Sequence, residues 1–266
     1  MKVTLLGCGG SGGVPLVGGT DGEGEWGACD PREPRNRRRR VSILVEVPGE
    51  AGQGTTTILV DCSPDLRLQL LDAKVKRLDA VLFTHDHADH SHGLDELRAL
   101  VRRSRKPIPA FMDARTRARL TAHFAYAFAS ADRADPLYPP LLDDRAIDGP
   151  FDVGPIRVVP FAQEHGKETT LGFRFGDLAY STDVSGLSEA AFAALNGTRL
   201  WIVDCLRDQP HPTHAHFAET LEWIARVRPA RAILTHMNQD LDYRALMARC
   251  PSGVEPGYDG MTIELE

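Results

Sequence analysis

Ala80–His92 reads AVLFTHDHADHSH, and this stretch decides the fold. Ala80–Thr84 is a short run, apolar as far as Phe83, which suits a buried strand. His85, His87, Asp89 and His90 follow it at once as H-x-H-x-D-H, a turn feeding a helix. Three imidazoles and a carboxylate in six residues are an odd way to finish a core, because such groups need water or a ligand. In extended chain, positions i and i+2 point the same way, so His85 and His87 can converge on one ion. The chain then bends, and Asp89 and His90 can reach a second ion. This donor set suits Zn, Mn or Fe rather than Ca or Mg alone.

Four ligands are too few for two ions, so further His and Asp residues are expected at strand ends. Three have that placement: His165 after IRVVPFAQEH, Asp183 after LAYSTD and His236 after RAILTH. Asp61 closes an earlier strand, TILVD. Strands are also expected at Lys2–Leu6, Val41–Val47, Ile156–Pro160, Leu171–Phe175, Leu178–Ser181, Arg199–Cys205 and Met261–Glu266. Helices are expected at Leu66–Leu71, Ala114–Ser130, Ser188–Leu195 and His216–Val227. In the last, Phe217, Leu221, Ile224 and Val227 share one face, and Pro229 stops it. Strand clusters at both ends of the chain, each followed by helices, predict two sheets covered by helices. Residues 1–266 read as one domain, with an inserted helical and loop segment at about 101–150 that is rich in Arg, Ala and Pro.

The 266 residues are 42% hydrophobic and 26% charged, ordinary globular composition that excludes a disordered chain. A net charge of −6 excludes a general nucleic-acid coat, although Arg35–Arg40 (RNRRRR) is a local basic run. No apolar run reaches the roughly 18–20 residues of a membrane span, and the start lacks a signal-peptide pattern. Five cysteines without regular spacing do not form a disulfide framework. A cytoplasmic protein is expected.

The order of motifs resembles the metallo-β-lactamase superfamily: Asp61, then THDHADH, then His165, Asp183 and His236. The resemblance covers nearly the whole chain and implies an α/β fold, an αββα four-layer sandwich. It implies two divalent transition metal ions, Zn or Mn. His85, His87 and His165 would hold one, Asp89, His90 and His236 the other, and Asp183 would bridge them, with Asp61 orienting a ligand loop. Metal-bound hydroxide would be the nucleophile. The opening LLGCGGSGGVP, the segment THAHFAETLEWI and the terminal GYDGMTIEL are similar to the branch of the phosphoribosyl cyclic phosphate phosphodiesterase and ribonuclease Z. That branch implies a general-acid His, matched by His214. His214 and Asp89 form the catalytic set, His216 is a weaker candidate for the acid, and His211 reads as a solvated loop residue.

The sequence also departs from that pattern. The branch has an early C-x-C-x-x-C cluster and a late His that hold a structural zinc. Only Cys29 remains here, with Gln239 in place of the His, so no structural zinc is expected. The expected substrate is a small phosphodiester, such as a cyclic ribose phosphate or nucleotide, with a homodimer as a further expectation. A tRNA-processing nuclease and a non-catalytic binder of the same fold are the alternatives. Arg35–Arg40 reads either as a solvated loop or as an anion-attracting rim. Asp259 reads either as a plain turn residue or as a neighbour of the site. Cys8 and Cys62 read as small buried residues, and His92 and His123 as structural or helix-surface residues.

Overall fold

A computed structural model of the protein describes residues 1–49, 54–128 and 139–265. Its strands form two seven-stranded sheets. The first contains β1 (Lys2–Gly7), β2 (Ser42–Pro48), β3 (Thr55–Val60), β4 (Ala80–Leu82), β5 (Ile108–Met112), β6 (Leu142–Ala146) and β14 (Thr262–Glu264). Their order is β14-β1-β2-β3-β4-β5-β6. The second contains β7 (Phe151–Val153), β8 (Ile156–His165), β9 (Glu168–Phe175), β10 (Leu178–Ser181), β11 (Leu200–Asp204), β12 (Arg231–Thr235) and β13 (Val254–Pro256). Their order is β13-β12-β11-β10-β9-β8-β7. Helices α1 (Leu66–Asp72), α2 (Ala88–Ser91), α3 (Arg98–Ser104) and α4 (Ala114–His123) lie among the strands of the first sheet in sequence. Helices α5 (Glu189–Leu195), α6 (Phe217–Val227) and α7 (Tyr243–Arg249) lie among those of the second. This is the expected α/β architecture of the metallo-β-lactamase type.

The chain forms two compact units. One comprises Met1–Thr4, Ser42–Arg157 and Thr262–Glu266, the other Leu5–Val41 and Val158–Met261. In both units the parallel strands explain where the chemistry falls. β3, β4, β5 and β6 pair in parallel, as do β10, β11, β12 and β13. Strands buried on both faces read as continuous apolar runs, and AVL of β4 and LWIVD of β11 are buried throughout. Polar residues return only where the strand stops, and the carboxyl ends of parallel strands are where open sheets bind ligands.

Local signals set the helix ends. Ser188 caps α5 by accepting the Ala191 N–H at 3.2 Å, and Asp113 caps α4 by accepting that of Thr116 at 2.7 Å. Helix α6 buries Phe217 and Ile224 as its periodicity predicts, and ends at Arg228 in the left-handed conformation, φ 54°, just before Pro229. The stretch 101–150 differs from expectation, because β5 and β6 also lie there and pair in parallel. Its short strands are interrupted by prolines and charges, so tertiary pairing rather than local pattern decides them. The expected helix at 114–130 ends at His123. Its last positions, 129 and 130, lie outside the described residues.

Candidate functional site

Six expected or neighbouring site residues lie in the first unit, and Asp61 organises them. It follows β3, is fully buried and has φ 64°. One carboxylate oxygen accepts the Thr84 N–H at 2.8 Å, and the other accepts the Thr84 hydroxyl at 2.8 Å. The second oxygen also lies 2.8 Å from His90 Nδ1. The Thr84 hydroxyl proton is thus committed to Asp61, so its oxygen accepts from His85 Nδ1, 3.0 Å away. Both imidazoles are thereby fixed as Nδ1–H tautomers, which leaves an Nε2 lone pair on each, the form a metal ligand needs. Burial pushes the Asp61 carboxyl up, and the His90 and Thr84 contacts oppose that.

The rest of the motif closes around this pair. The His85 ring centroid lies 4.4 Å from that of His87 and 4.2 Å from that of His90. Asp89 places a carboxylate oxygen 3.3 Å from His90 Nε2. The turn is pinned where Cys62 N–H donates to His90 O at 2.7 Å and Gly93 N–H donates to Cys62 O at 2.8 Å. A Cβ on Gly93 would stand 1.8 Å from Ser63 O, so only glycine permits this approach.

The second unit holds the remaining expected ligands, His165, Asp183 and His236. His165 ends β8, and its Nδ1 donates to Thr213 O at 2.7 Å, which fixes the same Nδ1–H tautomer. Gly166 lets the chain turn beside it with φ +64°, where a Cβ would come within 2.7 Å of Thr213. Asp183 follows β10 with φ 53°, and His236 follows β12 with φ 58°. The left-handed conformation is rare for non-glycine residues and turns each side chain away from its strand. Asp183 Oδ1 lies 3.3 Å from His236 Nε2, while Oδ2 lies 3.8 Å from His165 Nε2. Oδ1 therefore faces His236, while Oδ2 lies as far from His165 as from His214, in each case beyond a hydrogen bond.

His214 stands beside this group. Its Nδ1 is 3.0 Å from an oxygen of the fully buried Asp204, and its Nε2 is 3.8 Å from Asp183 Oδ2. Asp204 is itself held by the Val184 N–H at 3.0 Å. Asp204, His214 and His236 each offer a ligand atom within 4.8 Å of the others. The His214 and His236 rings, however, stack at 4.6 Å and 14°. Parallel in-plane lone pairs do not converge on one ion, which suits His214 better to proton transfer than to ligation. His216 instead occupies the N-cap position of α6, where its ring turns to Glu219 at 3.2 Å.

Several residues carry roles that the sequence did not assign. Asp204 grips His214, and its signal was available: like Asp61 it ends a buried apolar strand. His211 is half-buried, with its ring centroid 5.2 Å from that of His214. The arginine run is not a uniformly solvated loop. Arg38 is buried and donates to Asn238 O at 2.9 Å and Leu241 O at 2.6 Å. Arg35 pairs with Glu33 at 2.6 Å and covers the Tyr243 ring. Asp259 accepts the Arg39 N–H at 2.8 Å and the Cys8 N–H at 3.2 Å. Burial pushes its carboxyl up to about 7, against those hydrogen bonds. Cys8 and Cys62 are fully buried, as expected. His92 packs edge-on against Phe124 with ring centroids 5.2 Å apart.

Residues 56–237 match the family described as beta-lactamase superfamily domain. A Porphyromonas gingivalis protein named octanoyltransferase is 32% identical over 267 residues, covering 98% of this chain and 51% of that one. The chain thus spans about half the length of that relative. A crystal structure of a diphosphatase from the PhnP family superposes with a TM-score of 0.88 at 29% identity, covering 100% of this chain and 98% of that one. Zinc-bound PqqB from Methylobacterium extorquens shares the fold, with a TM-score of 0.75 at 20% identity over 100% of both chains.

Proposed function

This chain belongs to the beta-lactamase superfamily, and from that membership we propose a binuclear metal-dependent phosphodiesterase acting on a small phosphodiester, such as a cyclic ribose phosphate or a nucleotide. The reading treats residues 1–266 as one catalytic domain. One observation carries it: Asp183 turns one oxygen to His236 and the other toward His165 and His214, as a carboxylate shared by two ions would. In this reading His85, His87 and His165 hold one ion, Asp89, His90 and His236 the other, and Asp183 both. The donors fit such ions, because Nδ1 of His85, His90 and His165 is engaged by Thr84, Asp61 and Thr213, so that ligation would fall to Nε2. Two divalent ions, Zn or Mn, would supply Lewis acidity and lower the pKa of water to about 7.

The chain's own groups supply the remainder. Asp61 and Thr84 hold His85 and His90 in one tautomer and orientation. Asp89, beside His90, joins the catalytic set. Asp204 holds the Nδ1 proton of His214, so that a second proton is delivered from Nε2 to the leaving oxygen. The relationship to a PhnP-family diphosphatase supports a phosphate ester as substrate.

Acyl transfer, which the name of the P. gingivalis relative brings to mind, is less well supported. Burial raises all five thiols, with Cys250 pushed up to about 11, so none is an activated nucleophile. Among the described residues no helix is long and apolar enough to cross a membrane. The test is hydrolysis of bis(p-nitrophenyl) phosphate by metal-analysed protein with added Mn or Zn. Metal-dependent turnover that disappears in Asp89→Ala is expected. No turnover with two ions bound per chain would sink the phosphodiesterase reading.

A further inference from the structure

The loop between β11 and α6 is built around one threonine. Thr213 O accepts from His165 Nδ1 at 2.7 Å. The N–H of the same residue donates to His211 Nδ1 at 3.3 Å, and its hydroxyl lies 3.1 Å from that nitrogen. Because Nδ1 of His211 accepts a backbone hydrogen bond, the neutral ring carries its proton on Nε2. Pro210 and Pro212 flank His211 and restrict the backbone on either side. Arg207 braces the approach, donating to Gln209 O at 3.1 Å and Pro210 O at 2.7 Å. A merely solvated histidine has no need of a held ring, flanking prolines and a braced loop.

We propose that His211 is a substrate-specificity residue, whose Nε2–H donates to a second oxygen of the leaving group while His214 serves the scissile oxygen. The proposal rests on the phosphodiesterase reading and deepens it. Ring centroids 5.2 Å apart, each nitrogen reaching an acceptor about 3 Å away, allow two neighbouring oxygens to be gripped together. A phosphate leaving group offers such a neighbour on the same phosphorus. The oxygen of p-nitrophenolate has none within reach. Burial, then His214 and Arg207, push the His211 pKa down, while Asp204 opposes them. His211 therefore serves as a neutral donor at neutral pH.

The test compares wild type, His211→Ala and His211→Gln on ADP-ribose, a diphosphate diester, and on bis(p-nitrophenyl) phosphate. His211→Ala is expected to lower kcat/KM on ADP-ribose roughly 10- to 100-fold, the range for a hydrogen bond to a charged group. Its activity on bis(p-nitrophenyl) phosphate should stay within about twofold of wild type, and His211→Gln, which keeps an N–H donor, should recover part of the loss. Equal losses on both esters, or none on ADP-ribose, overturn the proposal. AMP titration followed through the ring nitrogen signals of His211 is a readout that needs no turnover. A shift at Nε2 and weaker AMP binding in His211→Ala are expected. Absence of that shift overturns the proposal, whereas the shift in a protein that hydrolyses neither ester overturns the phosphodiesterase reading alone.

Discussion

Asp61 follows β3 and Asp204 closes β11, and both carboxylates are fully buried and grip a histidine through Nδ1. Asp61 is tied three times, twice by Thr84 and once by His90, whose side chain has no exposed surface. Asp204 is tied to Val184 and His214, and the side chain of His214 keeps 11% of its surface exposed. In the proposed mechanism the same device would serve two ends. A sealed imidazole with a fixed lone pair is suited to stay on an ion. One that solvent can reach is suited to lose a proton and regain it.

The comparison can be broken first at His214. His214→Ala is expected to cut turnover on an ester with a poor leaving group by about 10²–10⁴, and by less on a p-nitrophenyl ester, whose leaving group needs no proton. Equal losses would remove His214 from the acid role.

Next come the two carboxylates themselves. Asp61→Asn should weaken metal binding by roughly 10- to 100-fold, measured against a chelator of known affinity. Asp204→Asn should lower turnover by a comparable factor of roughly 10–100 while metal content stays at the wild-type value. If both variants lose metal alike, the division of labour is wrong.

The smallest effect sharpens the contrast through Asp259, a carboxylate that holds backbone N–H groups instead of an imidazole. Its folded pKa of about 7 lies above the ordinary 3.8. The stability this group contributes is therefore complete below pH 3.8, falls as pH rises and is lost once pH passes about 7. Thermal melts of wild type and Asp259→Asn should converge in acid and separate in favour of the variant toward pH 8. A constant difference across that range would contradict the raised pKa. Metal content should be unchanged.

The proposed ligands were easier to read in the sequence than the groups that hold them. His85, His165, Asp183 and His236 stand out because each polar residue interrupts or follows an apolar β run. Asp204 follows the same rule, but WIVDC reads as a strand end with nothing to pair it to His214 ten residues on. Arg38 was hidden differently. Amid four other arginines it reads as solvent-facing, and only the carbonyls of Asn238 and Leu241, two hundred residues away, explain its burial. The strands β5 and β6 were missed because a short, proline-flanked parallel strand takes its identity from its neighbours. Thr213 had no local signal at all, since its work is done by its backbone.

Asp61, Asp183 and His236 all sit in the left-handed backbone region, at a cost of roughly 1–2 kcal/mol each that glycine would avoid. That cost gives the three positions a direction of drift. A descendant that abandoned the chemistry would be free to relax them toward glycine or asparagine, and branched side chains would stay closed to it throughout.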